Sequence, residues 1–385
     1  MAKIRMGMVG GGEGAFIGAV HRWAAALDGE IELVCGAFSS DADKSARSGA
    51  ALHLPPARVY KSYQQMMEQE AALPAAQRMQ FVAIVTPNHT HFPIAEAALR
   101  AGFHVMSDKP ATFNLDEALK LRDLVQETGL LYGLTHAYTG YPMVKEARQR
   151  VAAGELGRVH KVVVEYPQGW LATREEESGN KQASWRMDPE QSGVSCTIGD
   201  IGVHAANLTE YISGLQISEM CADLTPVIAG RELDDDGSIL LRFNNGAKGV
   251  LIASQVSVGE ENNLRIRVYG DKGGLEWSQQ EPNSLWLKWS DQPTQMLRTG
   301  MPYLGTLAAA NTRTPNGHPE GYLEAFANLY MAFAGQIRAR DSGLDPDERA
   351  ADCPGIAEAV RGMAFIEHAV AASNSDVKWH TLPQY

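Results

Sequence analysis

A short apolar run, Met6-Gly7-Met8-Val9, leads straight into Gly10-Gly11-Gly12-Glu13-Gly14-Ala15-Phe16-Ile17-Gly18 and then into a helical stretch over 19–27. Strand, glycine turn and helix in that order constrain this chain more than any other feature. Gly10, Gly12 and Ala15 fit the G-x-G-x-x-A form of a dinucleotide-binding turn. Absent side chains let the backbone turn tightly and approach a pyrophosphate, whose charge meets the amides at the helix start. Gly14, Phe16 and Ile17 belong to the same loop and helix entry, so they join the expected cofactor contacts.

The pattern that follows alternates strand and helix. Strands are expected at 31–38, 58–60, 81–85, 103–107 and 130–135, with helices at 41–52, 63–70, 90–101 and 115–128 between them. Such alternation specifies a doubly wound parallel sheet with helices on both faces, so residues 1–135 read as an NAD(P)-binding Rossmann domain. Beyond it the pattern changes. A helix at 142–154 and a strand at 159–166 precede strands at 220–224, 238–243, 249–255, 264–269, 274–277 and 285–289, some joined by tight turns at Gly246 and Gly273. Short turns imply antiparallel pairing. Helices at 321–340 and 355–372 close the chain, and the fold class is α/β, with residues 136–385 as a second α/β domain.

In an open α/β sheet the carboxyl ends of the strands carry the ligand, which singles out three stretches. Ser107-Asp108-Lys109-Pro110 follows an apolar strand, and Lys109 there reaches a bound ligand or else is a surface lysine in a turn. Thr86-Pro87-Asn88-His89-Thr90-His91 follows another, with Asn88 or Thr90 as the cap of the next helix. The end of the second strand, where an acid would hold the ribose hydroxyls of NAD, offers Ser39, with Asp41 as a helix cap. Serine tolerates either ribose form, and with no arginine beside it NAD is favoured while NADP stays open.

Composition removes several function classes. Across 385 residues the net charge is -12 and the pI about 5.4, which argues against a partner recognised through its phosphate backbone. Apolar content of 44% without a long apolar run suits a globular chain, not a membrane span. Entry at Met1-Ala2-Lys3-Ile4-Arg5 directly into a strand leaves no room for a cleavable signal. Cys35, Cys196, Cys221 and Cys353 are scattered without metal spacing, as expected of reduced thiols in a cytoplasm.

In the second half Asp200 and His204 stand at i,i+4 in Thr197-Ile198-Gly199-Asp200-Ile201-Gly202-Val203-His204, one helix face. Imidazole, with a pKa near 6.5, suits a general base for an alcohol, and a carboxylate beside it orients the ring. The plainer alternative makes Asp200 a helix cap and His204 a satisfied core histidine. Tyr138, Tyr141, Trp170, Trp185 and Tyr322 suit the apolar faces of a carbohydrate ring, or equally a core. Arg186, His318 and Glu320 are candidate hydrogen-bonding groups for the same ligand. The acidic runs 175–177 and 234–236 are expected as solvated loops. Asp200, His204 and Cys196 are compatible with a metal, but hydride transfer needs none and none is expected.

Four motifs fall in order: the glycine loop, Thr86-Pro87-Asn88 with His91, Asp108-Lys109-Pro110 in the place of E-K-P, and D-x-x-x-H at Asp200 and His204. With them the chain resembles the glucose-fructose oxidoreductase / inositol dehydrogenase (Gfo/Idh/MocA) family over essentially its whole length. The glycine loop, Tyr138-Thr139-Gly140-Tyr141-Pro142 and His318-Pro319-Glu320-Gly321-Tyr322 resemble the branch containing levoglucosan dehydrogenase. The resemblance implies a Rossmann domain followed by a substrate-binding and oligomerisation domain with an open, mainly antiparallel sheet, in a homo-oligomer, dimer or tetramer. It implies NAD as cofactor, Lys109, Asp200 and His204 as catalytic residues, and a sugar, anhydrosugar or cyclitol whose secondary hydroxyl is oxidised. Tyr138, Tyr141, Trp185, Arg186 and Tyr322 would line the substrate. An NAD-dependent glycosidase and a non-catalytic sugar-sensing regulator are the rival readings.

Overall fold

The computed structural model describes residues 2–385. The chain forms two compact units, Met1–Thr135 with Phe326–Val360, and His136–Ala325 with Arg361–Tyr385. The first begins β1 (Ile4–Gly10), α1 (Phe16–Leu27), β2 (Ile31–Ala37), α2 (Ala42–Ala51), α3 (Tyr63–Ala72), β3 (Phe81–Val85), α4 (His91–Arg100), β4 (His104–Ser107), α5 (Leu115–Thr128) and β5 (Tyr132–Leu134). Its strands lie in the order β2-β1-β3-β4-β5, all parallel. Every residue of β3 is buried, which is why this strand is an uninterrupted apolar run. Asp41 caps α2 as expected, accepting from the Lys44 amide at 2.9 Å. Thr90, at the cap position of α4, instead turns its hydroxyl back to Pro87 O at 2.8 Å. The strand expected at 58–60 is not in the sheet. Pro55 and Pro56 have no amide hydrogen for a ladder, Pro56–Arg58 folds as a 3-10 turn, and an isolated bridge joins Val59 to Gly36.

The second unit contains α6 (Pro142–Ala152), β6 (Val159–Pro167), α7 (Lys181–Arg186), α8 (Pro189–Ser192), α9 (Val203–Ser213), β7 (Ile217–Thr225), β8 (Asp236–Phe243), β9 (Lys248–Ser254), β10 (Arg265–Gly270), β11 (Gly273–Ser278), β12 (Ser284–Trp289), β13 (Gln295–Arg298), α10 (Thr306–Ala310) and, near the end of the chain, β14 (His380–Thr381). Nine strands run β13-β12-β11-β10-β6-β9-β8-β7-β14, antiparallel except for the β6/β9 pair. Alternation sets the buried side: Ile239, Leu241 and Phe243 of β8 are buried while Ser238 and Leu240 are exposed. The run 234–236 is not a solvated loop. Asp234 and Asp235 are buried because each carboxylate accepts backbone amides, Asp235 from Val227 at 2.7 Å and Ile228 at 3.1 Å. In the other run, Glu176 accepts from Arg231 at 2.9 Å.

Two long helices, α11 (Tyr322–Asp341) and, after the short α12 (Glu348–Ala351), α13 (Ile356–Ser373), carry the chain from one unit to the other. Residues 326–360 therefore stand with the first unit, where the sequence suggested a division into 1–135 and 136–385. Phe326, Tyr330, Phe333 and Ile337 form the reason: spaced along one face of α11, they are buried, with Phe333 edge-on to Phe81 at 5.4 Å and Tyr330 OH bonded to His21 Nδ1 at 2.7 Å. No helix among the described residues is long and apolar enough to cross a membrane.

Candidate active site

Within the first unit, topology gathers the sequence candidates at one sheet edge. The carboxyl ends of β1, β2, β3 and β4 feed the glycine loop, Ser39, Thr86-Pro87-Asn88 and Asp108-Lys109 respectively. Strand order reverses between β1 and β3, the position at which open α/β sheets bind ligands. Gly12 N donates to Phe38 O at 3.1 Å, and a Cβ on Gly12 would sit 2.6 Å from that oxygen, so only glycine lets the loop close on β2. Gly14 has φ +77° and nothing within 4 Å of where its Cβ would be, leaving open space at the entry to α1. Ala15, the residue before α1, provides no side-chain cap. Exposed Phe16 and half-buried Ile17 follow it. Thr86 Oγ1 is buried without a hydrogen-bond partner at the end of β3. Open space, uncapped helix amides and an unused hydroxyl on one edge fit a dinucleotide.

His91 fastens that edge. Its Nδ1 meets Pro110 O at 2.7 Å and its Nε2 meets Thr86 O at 2.8 Å, so one buried ring ties the Thr86-Pro87-Asn88 turn to the Lys109-Pro110 turn. Burial pushes its pKa down. Asp108 Oδ1 accepts the Lys109 amide at 2.9 Å and the Thr135 hydroxyl at 2.9 Å, which sets the backbone direction at Lys109. His91 and Asp108 thus hold the two loops that follow β3 and β4 on this edge.

The helix bearing Asp200 and His204 does not start as the i,i+4 spacing suggests. Ile198–Gly202 winds as a π turn before α9, a departure frequent at functional sites. Asp200 is not its cap. Asp234 accepts the Cys196 and Ile198 amides at 3.1 and 3.0 Å, and Ser195 Oγ accepts the Gly199 amide at 3.1 Å. With the helix end satisfied by others, the Asp200 carboxylate takes side-chain partners, Gln255 Nε2 at 2.9 Å and Arg186 Nε at 3.3 Å. Arg186 itself lies over Trp185 at 4.3 Å and Trp170 at 5.9 Å. Pro167 of β6 is level with Ser254 of β9, so Gln168 and Gln255 leave the unit's parallel pair side by side, Gln255 Nε2 donating to Gln168 Oε1 at 3.2 Å.

Gln168 continues the network to Asn262, at 2.6 Å, which accepts from the Tyr166 hydroxyl at 2.8 Å and donates to the Tyr138 hydroxyl at 3.2 Å. Tyr138 and Tyr166 also share a short hydrogen bond. Burial raises the pKa of both, which keeps them neutral donors. The Tyr138 ring meets His204 edge-on at 4.9 Å and stacks at 6.3 Å on Tyr141, which packs against Trp277. His204 Nδ1 lies 3.3 Å from His136 Nδ1. Tyr322, at the start of α11, adds to the upward push on Tyr166.

One connected network in the second unit therefore holds Asp200, His204, Tyr138 and Arg186, with Trp185, Tyr141 and Tyr322 adjoining it. His318 is exposed, and Glu320 is used structurally, accepting the Thr314 amide at 2.7 Å and that of Arg313. His136, Gln168, Gln255, Tyr166, Asn262 and Asp234 escaped the sequence reading. His136 carried a usable signal, since it follows β5 at the ligand-binding edge of a parallel sheet. The amides carried none.

A glycine turn and a lysine on the ligand edge of a parallel sheet, with a second unit holding an acid, an imidazole and an amide network, define a dinucleotide-dependent oxidoreductase. Residues 4–136 match the family model described as oxidoreductase family, NAD-binding Rossmann fold, and residues 144–276 match the GFO/IDH/MocA C-terminal domain. The chain is 33% identical to the oxidoreductase YfiI of Bacillus subtilis over 98% of this chain and 96% of that protein. An inositol dehydrogenase homolog from Azotobacter vinelandii, complexed with NAD+, is 35% identical with a TM-score of 0.94, covering 98% of this chain and 97% of that one. The same homolog complexed with NADH and myo-inositol superimposes with a TM-score of 0.91 at 34% identity over the same shares of the chains. Levoglucosan dehydrogenase of Pseudarthrobacter phenanthrenivorans is 25% identical over 79% of this chain and 80% of its own length. The chain belongs to the GFO/IDH/MocA family, and it is an NAD-binding oxidoreductase.

Proposed function

We propose that this enzyme oxidises a secondary hydroxyl of a cyclitol, sugar or anhydrosugar to a ketone. The observation that carries the reading is one hydrogen-bonded network that joins Asp200, Gln255, Gln168, Asn262 and Tyr138, with the Tyr138 ring edge-on to His204. Acceptors, neutral donors and an aromatic edge suit a ring that offers hydroxyls at its rim and C–H bonds on its faces. Myo-inositol bound by the Azotobacter vinelandii homolog supports beginning with cyclitols.

NAD, held at Gly10–Ala15, Ser39 and Thr86–Asn88, supplies the hydride acceptor. His204 takes the hydroxyl proton, the Lys109 ammonium stabilises the developing alkoxide, and Asp200 with Arg186 holds neighbouring hydroxyls. The second unit is assigned substrate binding and the contacts of a homo-oligomer, dimer or tetramer, which sedimentation tests. Four free cysteines support a cytoplasmic setting.

The deciding experiment screens cyclitols, sugars and anhydrosugars for reduction of NAD and NADP in parallel. Net reduction separates a dehydrogenase from a glycosidase that oxidises only transiently. Lys109→Met and His204→Gln should bind NAD as the wild type does while turnover drops by roughly 10²-fold or more. Unchanged turnover in either removes that residue from the chemistry.

A further inference from the structure

His136 lies in a position that the assigned chemistry leaves unexplained. It follows β5, is 1% exposed, and presents Nδ1 to His204 Nδ1 at 3.3 Å, the two rings nearly perpendicular with centroids 5.3 Å apart. Its backbone is fixed by the turn behind it, where the Thr139 amide and hydroxyl both donate to His136 O, at 3.0 and 2.9 Å. The Tyr138 ring also meets the His204 ring edge-on, at 4.9 Å.

When both imidazoles are neutral, rings facing each other through Nδ1 share one hydrogen between those atoms, so the pair has two arrangements. If His136 donates, the hydrogen of His204 is on Nε2 and that atom cannot accept a proton. If His204 donates, its Nε2 is bare. Only the second makes His204 a base at the atom turned away from His136.

We propose that His136 is the positioning residue for His204: it accepts the Nδ1–H of His204 and thereby fixes the tautomer whose Nε2 takes the substrate proton. This rests on the reading of His204 as the base. Catalytic histidines are commonly oriented by a carboxylate, but here the Asp200 carboxylate meets Gln255 and Arg186 while an imidazole meets His204 Nδ1. During oxidation the C–H electron pair leaves as hydride to NAD, the hydroxyl proton passes to His204 Nε2, and the new imidazolium keeps its Nδ1–H on His136. Titratable groups of the second unit near the pair include Tyr138 on the ring of His204, Tyr166 bonded to Tyr138, and Asp200 on the preceding turn.

Nitrogen NMR of the NAD-bound enzyme labelled at histidine tests the tautomer without relying on turnover. The expected spectrum shows His204 protonated at Nδ1 and bare at Nε2. His136→Leu should lose that preference and lower kcat by roughly 10²-fold with KM within a few-fold. His136→Asn, whose Oδ1 falls near the lost Nδ1 and accepts the same hydrogen, should recover most of kcat and the wild-type tautomer. An Nε2-protonated His204 in the wild type overturns the proposal, as does a His136→Leu enzyme with wild-type kcat and tautomer, or a folded His136→Asn enzyme no better than His136→Leu. If His204→Gln retains turnover, the fault lies instead with His204 as base. An inactive His204→Gln beside a fully active His136→Leu defeats the positioning role alone.

Discussion

The side-chain amide of Gln255 holds the carboxylate of Asp200, Nε2 to Oδ2 at 2.9 Å, while its Oε1 accepts the Thr197 hydroxyl at 2.9 Å. Gln255 is fully buried, so its amide meets these two groups in place of water. Gln255→Leu keeps the volume and removes both bonds at once, together with the one to Gln168. The expected result is a lower urea midpoint with unchanged slope, worth about 1–3 kcal/mol, and a raised KM because Asp200 is no longer held in place.

Gly12 sets a separate test at the cofactor edge. Its Cβ would lie 2.6 Å from Phe38 O and 2.8 Å from Ser48 Oγ, and the first of these is backbone that cannot swing away. Gly12→Ala must therefore displace the loop from β2 and, with NAD held as proposed, would turn the α1 amides off the pyrophosphate. Calorimetric titration should show NAD binding weakened at least about tenfold, near 1.4 kcal/mol. An unchanged affinity would mean that the loop does not hold the phosphates.

These two residues also mark what the sequence could and could not disclose. Gly12 was legible because a buried parallel strand is an apolar run and its turn is written in glycine. The helix read at 115–128 coincides with α5 for the related reason that Asn114 caps it and Gly129 stops it with φ +60°. Gln255 was illegible because nothing local distinguishes a glutamine after a strand. It meets Gln168, 87 positions away, only because β6 and β9 are neighbours in parallel. Asp234 was misread for a similar reason, since a run of acids looks solvated until the helix whose amides it caps is placed above it. Residues 326–360 follow the second unit's strands in the chain, yet the aromatic face of α11 packs on β3 and α1.

Stability should depend on pH through His104. Its Nδ1 accepts the Leu131 amide at 3.0 Å, a bond that protonation would destroy, and burial, with Arg340 adding to it, pushes its pKa down to about 4. The unfolded histidine titrates near 6.5, so between these values the unfolded chain binds more protons and stability rises with pH. The contribution is complete above about pH 6.5 and is lost as pH falls toward 4. Buried His21, also lowered to about 4, acts in the same window and sense. Each site is worth on the order of 3 kcal/mol across that range. His104→Asn keeps an acceptor for Leu131 and does not titrate, so denaturation of the variant at pH 7 and pH 4.5 should show a smaller difference than the wild type.

Cofactor choice turns on the end of β2. Asp41, the nearest acid, is committed to the Lys44 amide at 2.9 Å, and Ser39 Oγ accepts the Asp41 amide at 3.2 Å, so with NAD held as proposed it is Ser39 that would meet the ribose. A hydroxyl there bonds a ribose oxygen without repelling a 2′-phosphate. Ser39→Asp adds an acceptor for both ribose hydroxyls and a charge opposed to that phosphate. The ratio of kcat/KM for NAD over NADP should rise at least about tenfold, about 1.4 kcal/mol of discrimination, chiefly through loss of NADP turnover. An unaltered ratio would show that Ser39 does not face the adenosine ribose and that β2 ends outside the cofactor's reach.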